Sequence, residues 1–248
     1  MILFTNGCSW TWGGGLNVPG DNFGDNLYAG VERQKLLWPY HLGLKLNAEK
    51  TVNLSMGCGS NERIARTTFD WLQQQTLEDI KKTVAVIQIT KVNRYEYYYP
   101  TDMKAWVENN LADWRLAKPD HVTPQSAKIG KMPSEFEKKI HENRTSTWSK
   151  TEEVYKCIYQ LAAIDKILTD FGIKKRYYWT FIDDIGCYPV PIRDYIKNTY
   201  PWFIDAPWDL TTYWKYDRVS PTDGHPNIEG HKQISDIIYN IIKSDINE

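Results

Sequence analysis

The sequence predicts an α/β fold, with a mainly parallel sheet and helices on both faces. Three observations carry that expectation. Short apolar runs of strand length alternate with longer segments of helical spacing, several of the short runs are rich in β-branched residues, and the longest helical segment has start and stop signals. In a sheet of this kind, sites belong at the carboxyl ends of the strands.

The elements follow in order. MILFTN (1–6) is a short apolar run that stops at Gly7, as a first strand would. Residues 13–35, rich in glycine and asparagine, interrupt the alternation. LLWPYHLGLKLN (36–47) has helical spacing, TVNLS (51–55) reads as a second strand, NERIARTTFDWLQQQ (61–75) as a helix and TVAVIQIT (83–90) as a third strand. Residues 91–150, with Tyr95, Tyr97, Tyr98, Tyr99, Trp106 and Trp114, form a second interruption. Structureless stretches of that length are uncommon in compact domains unless functional, so the expectation is a partly helical insertion forming a cap or lid near the site mouth.

TEEVYKCIYQLAAIDKILTDFG (151–172) places Val154, Cys157, Ile158, Leu161, Ile164 and Leu168 on one face. Ser149 and Glu152 fit a capping box, and Gly172 stands where a C-cap belongs. KRYYWTFI (175–182) is a fourth strand. In the last segment Asn227 is placed to cap a helix whose apolar stripe is Ile234, Ile237, Ile238, Ile241 and Ile242.

The 248 residues, 42% hydrophobic and 25% charged, are expected to form one domain over 1–248, with 91–150 inserted into it. Net charge is −1, and the basic residues are scattered, the densest run being Lys174, Lys175 and Arg176, which argues against a nucleic-acid partner. No window approaches the roughly 20 apolar residues of a membrane span, and the N-terminus has no basic leader. The expectation is a cytoplasmic protein with no membrane partner. Cys8, Cys58, Cys157 and Cys187 are far apart with no C-x-x-C pair, so they read as free thiols and no metal site is expected. Eleven tryptophans and 16 tyrosines exceed what a core of this size needs, so some of these rings are expected at a binding surface. Oligomeric state is left open.

Candidate chemistry begins at Ser9, after the first strand, in Gly-Cys-Ser-Trp-Thr. A serine there is either a turn residue or a nucleophile, and the second role needs a base within reach. Gly7 suits a tight passage that leaves the serine side chain projecting and its amide available to an oxyanion. Gly13, Gly14 and Gly15 match neither a phosphate cradle nor a dinucleotide fingerprint, and read as the flexible start of a loop beside the site. Asp223 and His225 share one loop, which lets the carboxylate turn back to the imidazole and fix its tautomer. His231 is the rival base, but its place on the buried stripe of the last helix reads as structural. NLSMGCGSN (53–61) follows the second strand and opens a helix, so its amides suit an oxyanion. Thr90, Asn93 and Arg94 follow the third strand toward the same crevice, and Trp10 and Trp12 are candidate substrate contacts.

These four blocks, NGCSWT, NLSMGCGSN, VIQITKVNRYE and DGHPNIEGH, together resemble the SGNH hydrolases, also called GDSL hydrolases. The resemblance implies a three-layer α/β/α sandwich of flavodoxin-like build and ester hydrolysis without a cofactor. It makes Ser9 the nucleophile, His225 the general base and Asp223 the orienting carboxylate. The oxyanion would be held by the amide of Ser9, an amide from Gly57, Cys58 or Gly59, and the side chain of Asn93. The chain departs from the family in four places. Cys8 replaces the usual aspartate before the serine, and Cys58 stands at the oxyanion glycine. Val92 holds the place of the third-block asparagine, one before Asn93. Thr222 holds the usual aspartate position three before His225, with Asp183 and Asp184 as other carboxylates. The expected function is a serine esterase or acetylhydrolase acting on a small-molecule or glycan ester, with Trp10, Trp12 and Arg94 at the substrate. An acyltransferase using the same triad, or a catalytically weak carbohydrate-binding module, fits the same residues.

Overall fold

The computed structural model describes residues 1–16, 31–57, 59–90, 95–99, 113–117, 150–179, 195–196, 198–200, 217, 219–220 and 224–247. Four strands form a parallel sheet: β1 (Ile2–Asn6), β2 (Lys50–Asn53), β3 (Thr83–Gln88) and, late in the chain, a strand over Lys175–Trp179. Two further strands, β4 (Tyr95–Tyr99) and β5 (Asp113–Ala117), pair antiparallel as a separate ribbon, which makes the Lys175–Trp179 strand β6. The sheet order is β2-β1-β3-β6, and the helices include the short α2 (Val31–Gln34) and α5 (Leu77–Lys81).

The alternation of side chains along these strands builds two cores. Phe4, Ala85, Ile87 and Tyr178 point to one face, where α4 (Asn61–Leu72) contributes Ile64 and Leu72 and α6 (Lys150–Asp170) contributes Leu161, Ile164 and Leu168. Leu3, Val84, Val86, Tyr177 and Trp179 point to the other. There α3 (Trp38–Lys45) supplies Trp38 and Leu42, and α7 (Ile228–Asn247) supplies Ile234, Ile238 and Ile242. A sheet covered on both faces is what near-continuous apolar strands require. The fold is α/β, as the alternation predicts.

Charged and phenolic residues of β6 fasten it to the layer on each side. Arg176 Nε and Tyr178 Oη both donate to Asp165 of α6, at 2.7 and 2.8 Å. On the other face Lys175 and Tyr177 reach Asp245 of α7. Burial and the adjacent carboxylate push both phenols well above the usual tyrosine range.

The elements match the sequence reading except in detail. The C-terminal stop of α6 is real: Gly172 has φ 90°, and Ile173 donates back to the Leu168 carbonyl at 2.9 Å. Ile241, expected in the stripe of α7, is 44% exposed. Its direction lies at the rim of the face centred on Ile234, Ile238 and Ile242, whose i, i+4, i+8 spacing tracks the sheet. Within 91–150 the described segments before α6 are strand rather than helix. The tyrosine run of β4 explains this, because aromatic side chains favour a pleated, half-buried surface.

Candidate active site

In the order β2-β1-β3-β6 the direction of winding reverses between β1 and β3, and ligand crevices form outside the carboxyl ends of strands at such a point. Each of the three strands there ends on a carboxamide: Asn6, Asn53 and Gln88. Asn6 accepts from the Gly7 amide at 2.9 Å and donates to Thr67 at 2.9 Å and Thr68 at 3.2 Å, so the exit of β1 is tied to α4. Asn53 accepts from Ser55 and donates to the Thr11 carbonyl at 3.2 Å. Gln88 accepts from Thr11 Oγ1 at 2.5 Å and from the Cys8 amide at 3.3 Å.

The chain leaving β1 passes through a narrow gap. A Cβ on Gly7 would lie 2.6 Å from Thr11 Oγ1 and 2.8 Å from Gln88 Oε1, so only glycine fits without displacement. Cys8 is buried and extended at the N-cap of a single helical turn, α1 (Ser9–Trp12). Gly13, with φ 82°, ends that turn in the left-handed region. As the first residue of α1, Ser9 has an amide beyond the reach of the intrahelical ladder.

His225 comes from the far end of the chain. Val219 donates to the His225 carbonyl at 3.0 Å, and Asn227 donates to that of Asp217 at 2.8 Å. Asn227 then caps α7 through Oδ1 and the Gly230 amide, 2.9 Å, which holds the imidazole two residues ahead of a fixed helix start. Its Nε2 lies 2.8 Å from Ser9 Oγ, across a sequence separation of 216. The Ser9 side chain is nearly buried, at 7% exposure, beside the half-buried imidazole. With Nε2 as acceptor, this contact is a hydrogen bond along which the hydroxyl proton can pass to the imidazole.

Gly14 closes against this pair. A Cβ there would lie 2.8 Å from His225 Cδ2 and Nε2 and 3.0 Å from Ser9 Cβ. Gly14 is therefore part of the packing around Ser9 and His225, where the sequence suggested that the triplet is the flexible start of a loop. Trp10 stands beside the imidazole, ring centroids 6.0 Å apart. Trp12 lies under the Arg33 guanidinium at 4.8 Å, and a Cβ on Gly57 would lie 3.5 Å from its ring. Arg33 is buried and donates to the Gly13 carbonyl at 2.6 Å.

The loop after β2 folds over the exit of β1. Met56 donates to the Gly7 carbonyl, and a Cβ on Gly59 would lie 2.8 Å from that same oxygen. The amide of Gly59 donates to the Met56 carbonyl at 3.0 Å. Thr90 is buried, its amide and carbonyl bonded to Asn61 at 2.8 and 3.1 Å, which ties the exit of β3 to α4. Cys58, Asn93, Arg94, Asp183, Asp184 and Asp223 lie outside the described residues.

His231 is fully buried in α7, and its Nδ1 accepts from the Trp38 amide at 3.3 Å. Burial, with smaller contributions from His41, His225 and Arg33, pushes its pKa down to about 3. It is a neutral packing group at ordinary pH. Among the described residues no cluster of three His, Cys, Asp or Glu side chains suits a metal, and no helix is long and apolar enough to cross a membrane.

A protein-family model described as "Family of unknown function (DUF6071)" matches residues 22–188, more than half of the chain. The chain belongs to this family. The matched stretch contains Gln88 and the loop after β2, and Ser9 and His225 flank it on either side. No curated protein matches the chain. Solved structures similar to it include a member of the lipolytic protein G-D-S-L family from Veillonella parvula DSM 2008, 9% identical, with TM-score 0.48 and 98% of each chain covered. Another is a protein described as a GDSL-like lipase from Parabacteroides merdae ATCC 43184. It is 12% identical, with TM-score 0.41, 96% of this chain and 94% of that chain covered. Identities and superpositions at these levels assign the family member no reaction.

Proposed function

We propose that the protein is a serine esterase or acetylhydrolase of the SGNH type. The observation that carries this reading is the 2.8 Å contact between Ser9 Oγ and His225 Nε2 at the switch point of a parallel sheet. Ser9 Oγ attacks the ester carbonyl while His225 Nε2 takes its proton. The tetrahedral oxyanion is held by the Ser9 amide, an amide from Gly57, Cys58 or Gly59, and the side chain of Asn93. As the C–O bond breaks, His225 returns the proton to the leaving alcohol. A water then enters, His225 takes one of its protons, and the acyl group leaves as the acid with Ser9 restored.

In this reading Asp223 orients His225 through the other ring nitrogen and stabilises the imidazolium. Trp10, Trp12 and Arg94 form the substrate approach, and rings of this kind suit an O-acetylated carbohydrate. The chemistry needs no cofactor.

The test compares wild type with Ser9→Ala in p-nitrophenyl acetate hydrolysis and in labelling by a fluorophosphonate. Wild type is expected to label at Ser9, and the variant to lose labelling together with several orders of magnitude in kcat. Unlabelled wild type, or hydrolysis that survives the substitution, would overturn the assignment.

A further inference from the structure

We propose that Gln88 is a positioning residue for the nucleophile. Its buried carboxamide oxygen fixes the helical turn carrying Ser9 and thereby sets the geometry between Ser9 Oγ and His225 Nε2. The inference rests on Ser9 being the nucleophile.

A four-residue helix has no stability of its own, because nucleation costs more than one turn of hydrogen bonds returns. The N-cap of α1 offers no side-chain cap either. The orientation of the turn must therefore be imposed from outside: Trp10 and Trp12 pack against apolar clusters, and the residues on either side of Ser9 are held by polar contacts. Gln88 Oε1 accepts from the Cys8 amide at 3.3 Å and from Thr11 Oγ1 at 2.5 Å, with Cys8 Sγ 3.5 Å away. Cys8 and Thr11 bracket Ser9. Donors from both sides of the serine converge on one oxygen, so a rotation of the turn that moved Oγ would break at least one of these bonds.

The oxygen itself is rigidly mounted. Gln88 closes β3, a central strand flanked by β1 and β6, and is paired in register with Trp179. It is fully buried, and so is Thr11. Gly7 supplies the space, since any Cβ there would displace both Gln88 and Thr11. Among the described residues the buried Nε2 atom of Gln88 has no hydrogen-bond partner. An unmet donor in the core costs stability, and an apolar side chain of this size would avoid the cost. What glutamine supplies at this position is the acceptor oxygen. It touches neither substrate nor the reacting atoms, and acts through the orientation of Ser9.

The experiment uses the full chain and four variants. Gln88→Met keeps the volume and removes the acceptor; Gln88→Glu keeps an acceptor oxygen. Thr11→Val and Thr11→Ser do the same for the donor. For each, one measures the second-order rate of fluorophosphonate labelling at Ser9, kcat and KM for p-nitrophenyl acetate, and Tm. The Met and Val variants are expected to lose roughly ten- to a hundredfold in labelling rate and in kcat with KM nearly unchanged, since small misplacement of a reacting group costs that much. The Glu and Ser variants should recover most of the loss. A Met variant labelled at the wild-type rate overturns the inference, as does a Glu variant as slow as the Met one. If Gln88→Met does not fold, the threonine pair decides, and Thr11→Val at the wild-type rate overturns it. Wild type labelled at Ser9 with indifferent variants refutes the positioning role alone. Unlabelled wild type refutes the nucleophile, and the positioning role falls with it.

Discussion

Replacing Gly14 by alanine tests the packing of the pair directly. Gly13 and Gly15 have φ of 82° and 79°, but Gly14 lies outside the left-handed region, so its backbone accepts an L side chain without strain. The whole effect of the substitution then falls on what the new methyl meets. It would lie 2.8 Å from two atoms of the His225 ring and 3.0 Å from Ser9 Cβ. Non-bonded heavy atoms settle at about 3.5 Å or more, so the imidazole must retreat by roughly 0.7 Å. A retreat of that size takes the 2.8 Å contact between Nε2 and Oγ to about 3.5 Å, where it is no longer a useful hydrogen bond. The expected cost is roughly ten- to a hundredfold in fluorophosphonate labelling and in kcat. Stability should change by only about 1 kcal/mol, because the clash is with the end of a movable side chain; for a chain of this length that is about 2–4 °C in Tm. Labelling rate and thermal melting measured on the same preparation separate the two effects. A Gly14→Ala variant labelled as fast as wild type would refute the claim that this glycine is there for the imidazole. So would a loss of activity fully explained by unfolding.

Two further outcomes follow from the same structure. Asn227→Ala removes the oxygen that caps α7 at the Gly230 amide and should cost about 1 kcal/mol, read as a fall of about 2–4 °C in Tm; an unchanged melting curve would refute the cap. His231 is neutral when buried, with a pKa of about 3 against an ordinary value of 6.5, so the unfolded chain binds more protons between those limits. Its contribution is complete above pH 6.5 and is lost as pH falls toward 3, in total roughly 4–5 kcal/mol. His41, also lowered by burial, acts in the same direction. Denaturant titrations of wild type and His231→Gln across that window should show a shallower loss in the variant; parallel curves would refute the assignment.

Much of the layered fold is legible in the chain. The apolar strand runs, the stop at Gly172 and the cap at Asn227 are local signals. Each works through neighbours a few residues away, so each can be read without knowing what packs on it. Ser9 and His225 were visible as candidates for the same reason, one at a strand end and one before a helix start. The supports of Ser9 were less visible. Gln88 looks like the polar end of an apolar run, and its role depends on Cys8 and Thr11, some eighty residues earlier. Gly14 reads as loop flexibility until the imidazole appears against it.

The sequence by itself determined the alternating elements, the residue types available for acyl chemistry, and the caps that aim the chain into and out of the site. The tertiary structure decided which of those residues meet. The order β2-β1-β3-β6 sets the crevice between β1 and β3, and the arm ahead of α7 carries His225 to Ser9 across 216 residues. It also decided that His231 serves as packing, through the degree of its burial. Contacts of this kind are set by how whole layers stack, and no local periodicity encodes a distance between two side chains held on different layers.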